Sequence, residues 1–319
     1  MTNALLLLLA LLGPLQDEAP SSPVTLTFGW PAEGSVRVRE QARKNDAGAV
    51  MSYVLRWSPA EEGEGLLLAY TDFLFLEIDG EEVTTPAMRS AVRQAEVLAS
   101  AIPSLRIGAD GALLGIEEFG EMLERLIAHM ASDGSLEPEK VDQVARAMRE
   151  PSVRDTMEAK CSEFWQAWVG VWAGLELERG TDEVWHLDVE ETKGVTRELL
   201  ITYGERTHHR GLECVEIEME GDADEQLIRE KTLAMVGLLA EGADQELPKE
   251  LPFARMTRTD RTHGIWALDG LRPLEVLTSS TVSVWQSADG EPEVQAEEHH
   301  YFFEWEDLDP APEGESVLR

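Results

Sequence analysis

The chain reads as an α+β protein: one or two curved antiparallel β-sheets, built from hairpins and meanders, with amphipathic helices packed on one face. Three observations predict this. Apolar and polar residues alternate with a period of two over several long stretches, as half-buried strands require. Asp-Gly occurs four times between such stretches, at Asp79-Gly80, Asp110-Gly111, Asp269-Gly270 and Asp289-Gly290, and it tolerates the positive φ of tight hairpin turns. Interleaved with these blocks lie five segments with apolar residues at helical spacing.

Taken in order, the strands begin at Val24. Val36 and Val38 alternate with Arg37 and Arg39, and Met51, Tyr53, Leu55 and Trp57 alternate with Ser52, Val54 and Arg56. Leu66 to Ile78 is apolar almost throughout, which predicts a central strand covered on both faces. Leu105 to Leu114, Val184 to Glu220 and Met256 to Trp305 carry the remaining strands. The helices are expected over Pro86–Ile102, Ile116–Met130, Pro138–Met148, Val153 to about Leu177, and Asp224–Ala240.

The first 19 residues stand apart. Ala4 to Leu12 is an unbroken apolar run ended by Gly13-Pro14, too short for a bilayer span of roughly 20 residues and fitting the apolar middle of a signal peptide. Met1-Thr2-Asn3 lacks the usual basic residue, and the following residues offer no clean small-x-small cleavage site. The expectation is a signal peptide over 1–19, one exported domain over 20–319, and an acidic tail over 307–319. A loose echo, strands then helix then an Asp-Gly hairpin, allows two β-helix-β halves at about 24–150 and 151–306. No later stretch is apolar enough to span a membrane.

Composition limits the partners. Asp and Glu number 62 against 27 Lys and Arg, a formal net charge of −35. Such a field repels nucleic acid and anionic lipid. Nine Trp, eight Phe and four Tyr are too many for a disordered chain. The expected partner is a hydrophobic small molecule or another envelope protein, with no nucleic acid and no cofactor.

The strongest local pattern is Phe164, Trp165, Trp168 and Trp172, which share one side of a helix with Cys161 and Leu175. They form either the lining of an apolar ligand site or the central packing element of the core. The two cysteines, Cys161 and Cys214, are either a disulfide of an oxidising compartment or two buried thiols. Cys214 alternates with Val215, Ile217 and Met219 and therefore faces away from them.

Other groupings weigh less. The pairs His208-His209 and His299-His300 sit on strands, where neighbours point to opposite faces, so neither pair shares a metal. They are expected as surface or turn histidines at strand ends. His-Glu-x-x-His and Cys-x-x-Cys are absent, and no metal site is expected. Arg37, Arg39 and Arg43, and again Arg255, Arg258 and Arg261, are expected to pair with neighbouring carboxylates rather than to hold an anion. Gly-x-Ser-x-Gly and phosphate-binding Gly-rich loops are also absent. No catalytic residue is assigned, and no motif ties the chain to a family. The reading is an exported, non-enzymatic binding or envelope-associated protein, with an apolar ligand between the sheet and the Trp-rich helix. The alternatives are an interaction module with a fully packed core, and a hydrolase whose dispersed groups, such as His209 or Glu297, would show shifted pKa values in a shared cavity.

Overall fold

The computed structural model describes residues 23–60, 65–99, 102–132, 151–177, 182–188, 196–223, 253–287 and 289–308, with a few isolated positions between them. The expected signal peptide, most of the acidic tail, and nearly all of the helices expected at Pro138–Met148 and Asp224–Ala240 lie outside the described residues.

Most of the chain is antiparallel sheet. β2 (Gly34–Lys44), β3 (Ala47–Pro59), β4 (Leu66–Ile78), β6 (Leu105–Ile107) and β7 (Leu113–Ile116) form one meander. β9 (Asp182–Asp188), β10 (Thr196–His209), β11 (Leu212–Ala223), β12 (Arg255–Ala267), β13 (Arg272–Trp285) and β14 (Glu293–Trp305) form a second. The two meet where β14 pairs with β2, from Trp305 opposite Val36 to Glu297 opposite Lys44. The result is a 12-stranded sheet of order β7-β6-β4-β3-β2-β14-β13-β12-β11-β10-β9, with β5 (Glu81–Glu82) added beside β4. A separate pair joins β1 (Val24–Thr25) to β8 (Glu176–Leu177).

The alternation that predicted strands also selects the buried face. Val36 and Val38, Tyr53, Leu55 and Trp57, Leu66, Leu68 and Tyr70, and Tyr301, Phe303 and Trp305 are all buried, and all belong to one cluster with Trp266 and Val276. Both meanders feed this cluster. β4 departs from the expected full coverage: Leu66, Leu68 and Tyr70 are buried, while Leu67, Ala69 and Thr71 are half-buried. All four Asp-Gly pairs fall in connections between strands. At Asp79-Gly80 both residues take positive φ, 51° and 81°.

Three helices fall among the described residues. α1 spans Pro86–Ala99, and the Oγ of Thr85 accepts the amide of Met88 at its start. α2 spans Phe119–Ser132; Ile116 ends β7 instead, and Glu118 at φ 52° turns the chain between them. α3 spans Pro151–Trp165 and continues as a π-helical turn over Gln166–Gly170. The helix expected to reach Leu177 thus stops seven residues early, and Glu176–Leu177 is strand.

Gly65 shows where a turn is constrained by its neighbour. Its φ is +99°, and a Cβ there would sit 1.9 Å from the carbonyl oxygen of Ile107. Gly65→Ala is expected to lower stability by about 1–3 kcal/mol in urea denaturation. Gly80→Ala is the control: φ is +81° but nothing lies within 4 Å, so only the conformational cost of about 1 kcal/mol applies.

Candidate functional site

The Trp run is the centre of the core. Trp165, Trp168 and Trp172 are each 0% exposed. Trp168 stacks on Phe164 and meets Tyr301 and Phe303 edge-on at 5.1 and 5.2 Å, while Trp172 meets Trp266 at 5.1 Å. Trp165 packs edge-on against Phe28 and Trp30 from the segment that follows β1.

The π-helical turn explains how so many indoles fit. The amide of Val171 bonds to Gln166, whereas those of Trp172 and Ala173 both turn back to Val169. The carbonyls of Ala167 and Trp168 then accept indole N–H groups, from Trp172 at 2.7 Å and Trp266 at 2.6 Å. A third indole, Trp165, donates to the carbonyl of Gly111 in the Asp110-Gly111 turn. Widening the helix thus releases acceptors that buried indoles need.

Cys161 and Cys214 are free thiols. Cys161 packs beside Phe119, Met122 and Leu123 of α2. Cys214, opposite Ala267, lies on the face of β11 turned away from Val215 and Ile217. Burial pushes both thiols above their ordinary pKa, which lowers their reactivity. Alkylation of the unfolded chain without reductant is expected to add two labels, as read by intact mass.

His208, exposed, and His209 sit at the end of β10 as expected, whereas the β14 pair departs from the expected surface positions. His299, on the buried face of β14, is held between two carboxylates: Glu40 of β2 at 2.7 Å and Glu297 at 3.1 Å. Glu40 is 5% exposed and also takes the hydroxyl of Tyr53. The imidazole lies flat against Tyr301 and edge-on to Phe164. His300 bonds to Glu275, and His263 to Glu216, each at 2.7 Å. Among the described residues no group of three or more His, Cys, Asp or Glu is placed to hold a metal ion.

Burial pulls the His299 imidazole down, but the hydrogen bond and charge of Glu40, and then of Glu297, outweigh it and leave its pKa raised. A raised histidine stabilises the fold fully below its unfolded pKa of about 6.5, and that contribution is lost as pH rises through the folded value. Glu297 has the opposite sign. Burial pushes it up, but His299 and Lys44 hold it below the usual range, so its contribution is lost as pH falls through its own depressed value. Urea midpoints are expected to fall from about pH 6.5 upward, and His299→Gln to flatten that slope.

His209 is also shifted, downward by burial and then by Arg210. Its other electrostatic partner is Glu275, whereas Glu297 is coupled to His299, Lys44 and Lys160. The two groups share no partner. The arginines separate as well: Arg255 pairs with Glu225, Arg258 with Asp260 and Glu163, and Arg261 with Glu220. On β2, the Nε of Arg39 is buried without a hydrogen-bond partner.

A cleft that no sequence pattern signalled opens at the end of the sheet where the β12–β13 turn meets the ends of β14 and β3. Its volume is about 400 Å³, with Trp57 and Trp305 in its lining and Glu33, Asp269, Glu306 and Asp307 around Arg272. Arg272 is 11% exposed at its side chain and pairs with Asp307 at 2.6 Å and Asp269 at 3.4 Å. Its guanidinium lies 5.4 Å from the Trp305 ring. The indole N–H groups of Trp57 and Trp305 donate to the carbonyls of Pro31 and Pro273.

No protein-family model and no curated protein matches the chain. A solved structure of lipovitellin, concerned with its lipid–protein interactions, is similar to it at 12% identity and a TM-score of 0.40. The similarity covers 90% of this chain and 27% of that one, so the chain spans about a quarter of that relative. Among the described residues no helix is long and apolar enough to cross a membrane.

Proposed function

We propose that this chain is an exported, non-enzymatic binding protein in which the Trp-rich helix is structural and the binding surface lies outside it. The observation that carries this reading is the state of the Trp run: three indoles at 0% exposure, with rings on the helix and on the sheet already in contact. An interior packed this closely fills its own volume with protein side chains. The placement of His209 at the end of β10 and Glu297 on β14, with three strands between them in the sheet, supports the non-enzymatic part, since paired acid–base work needs both groups within reach of one substrate. The apolar run Ala4–Leu12 supports export.

Native mass spectrometry of protein purified from its export compartment, with organic extraction, tests this. The expected result is a chain free of apolar adduct. A stoichiometric lipid or other apolar molecule would favour the second reading, a ligand seated between sheet and Trp-rich helix, and Trp168→Ala would then abolish the adduct without unfolding the chain.

A further inference from the structure

His299 meets a carboxylate through each ring nitrogen: Nδ1 lies 2.7 Å from Glu40 and Nε2 lies 3.1 Å from Glu297. Two such contacts need two hydrogens, and a neutral imidazole carries one. The geometry at the seam is therefore that of the doubly protonated ring. We propose that His299 is a proton-operated latch: with both protons it holds Glu297 against the seam, and on losing one it hands Glu297 to the lysines of β2 and α3.

Burial decides which contact is released. Glu40 is 5% exposed, and losing Nδ1–H would leave that carboxylate short of a donor. The Glu297 side chain is 45% exposed, so water replaces the imidazole when it leaves. The remaining proton stays on Nδ1, and the Nε2 lone pair then faces the Glu297 oxygens and repels them. Two cations stand nearby: Lys44 of β2, 3.7 Å from Glu297, and Lys160 of α3, within its electrostatic reach. No other group around the ring competes for the proton. Thr278 of β13 is opposite His299, Tyr301 and Phe164 cover the imidazole, and Glu163 of α3 is engaged by Lys160 and Arg258. Burial pushes the hydroxyls of Tyr53, Tyr70 and Tyr301 and the thiol of Cys161 upward, so none of them titrates near neutrality. The two carboxylates outweigh burial and raise the imidazole's own pKa, which sets the release above about pH 6.5.

The test is an NMR titration of the His299 ring nitrogens and the Glu297 side-chain carboxyl in the full chain. Both nitrogens are expected to carry a proton at about pH 6 and the ring to titrate above about pH 6.5. Beyond that midpoint the single N–H is expected on Nδ1, with the Glu297 carboxyl signal moving at the same pH. Glu297→Gln, at a half-exposed position, is expected to fold. Its amide accepts from Nε2–H or, turned over, donates to the bare Nε2, so the contact survives deprotonation. His299 in that variant is expected to bind its second proton roughly 3- to 10-fold more weakly. The handover is read by a double-mutant cycle of Glu297→Gln with Lys160→Met. Its coupling is expected to be larger at about pH 8.5 than at about pH 6, by roughly 2- to 5-fold in the unfolding constant. The proposal is overturned by a midpoint at or below about pH 6.5, by the surviving N–H lying on Nε2, by a Glu297 signal that ignores the transition, or by equal coupling at the two pH values.

Discussion

Trp168→Ala is expected to cost about 3–5 kcal/mol of stability, which for a chain of this size lowers Tm by roughly 6–15 °C. The indole is fully buried and touches Phe164 on the helix and Tyr301 and Phe303 on the sheet. Removing it leaves a cavity that the long β14 strand, paired on both sides, cannot close. A second variant separates volume from polarity. The Trp168 indole N–H is buried with no hydrogen-bond partner, so Trp168→Phe deletes an unsatisfied donor as well as part of a ring. Its cost is expected to be well below that of alanine, about 1–2 kcal/mol. A Trp168→Ala protein that melts where the parent does would mean that the indole lines space rather than fills it.

Breaking the contact between the two meanders is expected to cost nearly as much. Glu40 and His299 lie 259 residues apart and join β2 to β14 on the buried face. His299→Leu leaves the Glu40 carboxylate, 5% exposed, without its imidazole partner. Stranding one member of a buried pair costs about 3–5 kcal/mol. The lower end applies here, about 3 kcal/mol, because Tyr53 still donates to Glu40. His299→Gln keeps a donor within the same neighbourhood and is expected to lose less. In a double-mutant cycle with Glu40→Gln, the two losses should fall short of additive, because each substitution removes the same contact. Strict additivity in denaturant midpoints would show that the bond across the seam contributes nothing of its own.

Much of the fold was legible because its signals are local. The alternation at Val36–Val38 and Met51–Trp57 reports which side chains a strand sends to one face, and that follows from the two-residue pleat alone. The Asp-Gly pairs mark turns because glycine takes positive φ at little cost. Arg210-Gly211 makes the same kind of turn, with φ of 50° and 80°, yet it passed unread because arginine is not a residue that favours it. The early end of the Trp helix was hidden for a related reason. Its apolar stripe continues past Gly170 with helical spacing, but the π turn and the pairing of Leu177 with Val24 redirect the chain.

The candidate sites were less legible. Phe164, Trp165, Trp168 and Trp172 stood out, yet spacing on a helix cannot say whether a stripe faces a cavity or a wall of rings. His299 and Glu40 carried no shared motif. The cleft draws on four separate regions: Glu33 and Ser35 before and within β2, Trp57 of β3, Asp269 and Arg272 around the β12–β13 turn, and Trp305 to Asp307 at the end of β14.

By itself the amino-acid sequence determined the long strands, most of the turns, the buried phase of β2 and β3 and the acidic character of the chain, because each depends on residues within a few positions of one another. Tertiary structure alone decided that β14 closes on β2, that a histidine is held between carboxylates at that seam, that two thiols stay apart, and that carboxylates and indoles from distant segments share one cleft. Those outcomes depend on which strands become neighbours. Periodicity carries no term for that choice, since every half-buried strand shows the same alternation whichever partner it finds.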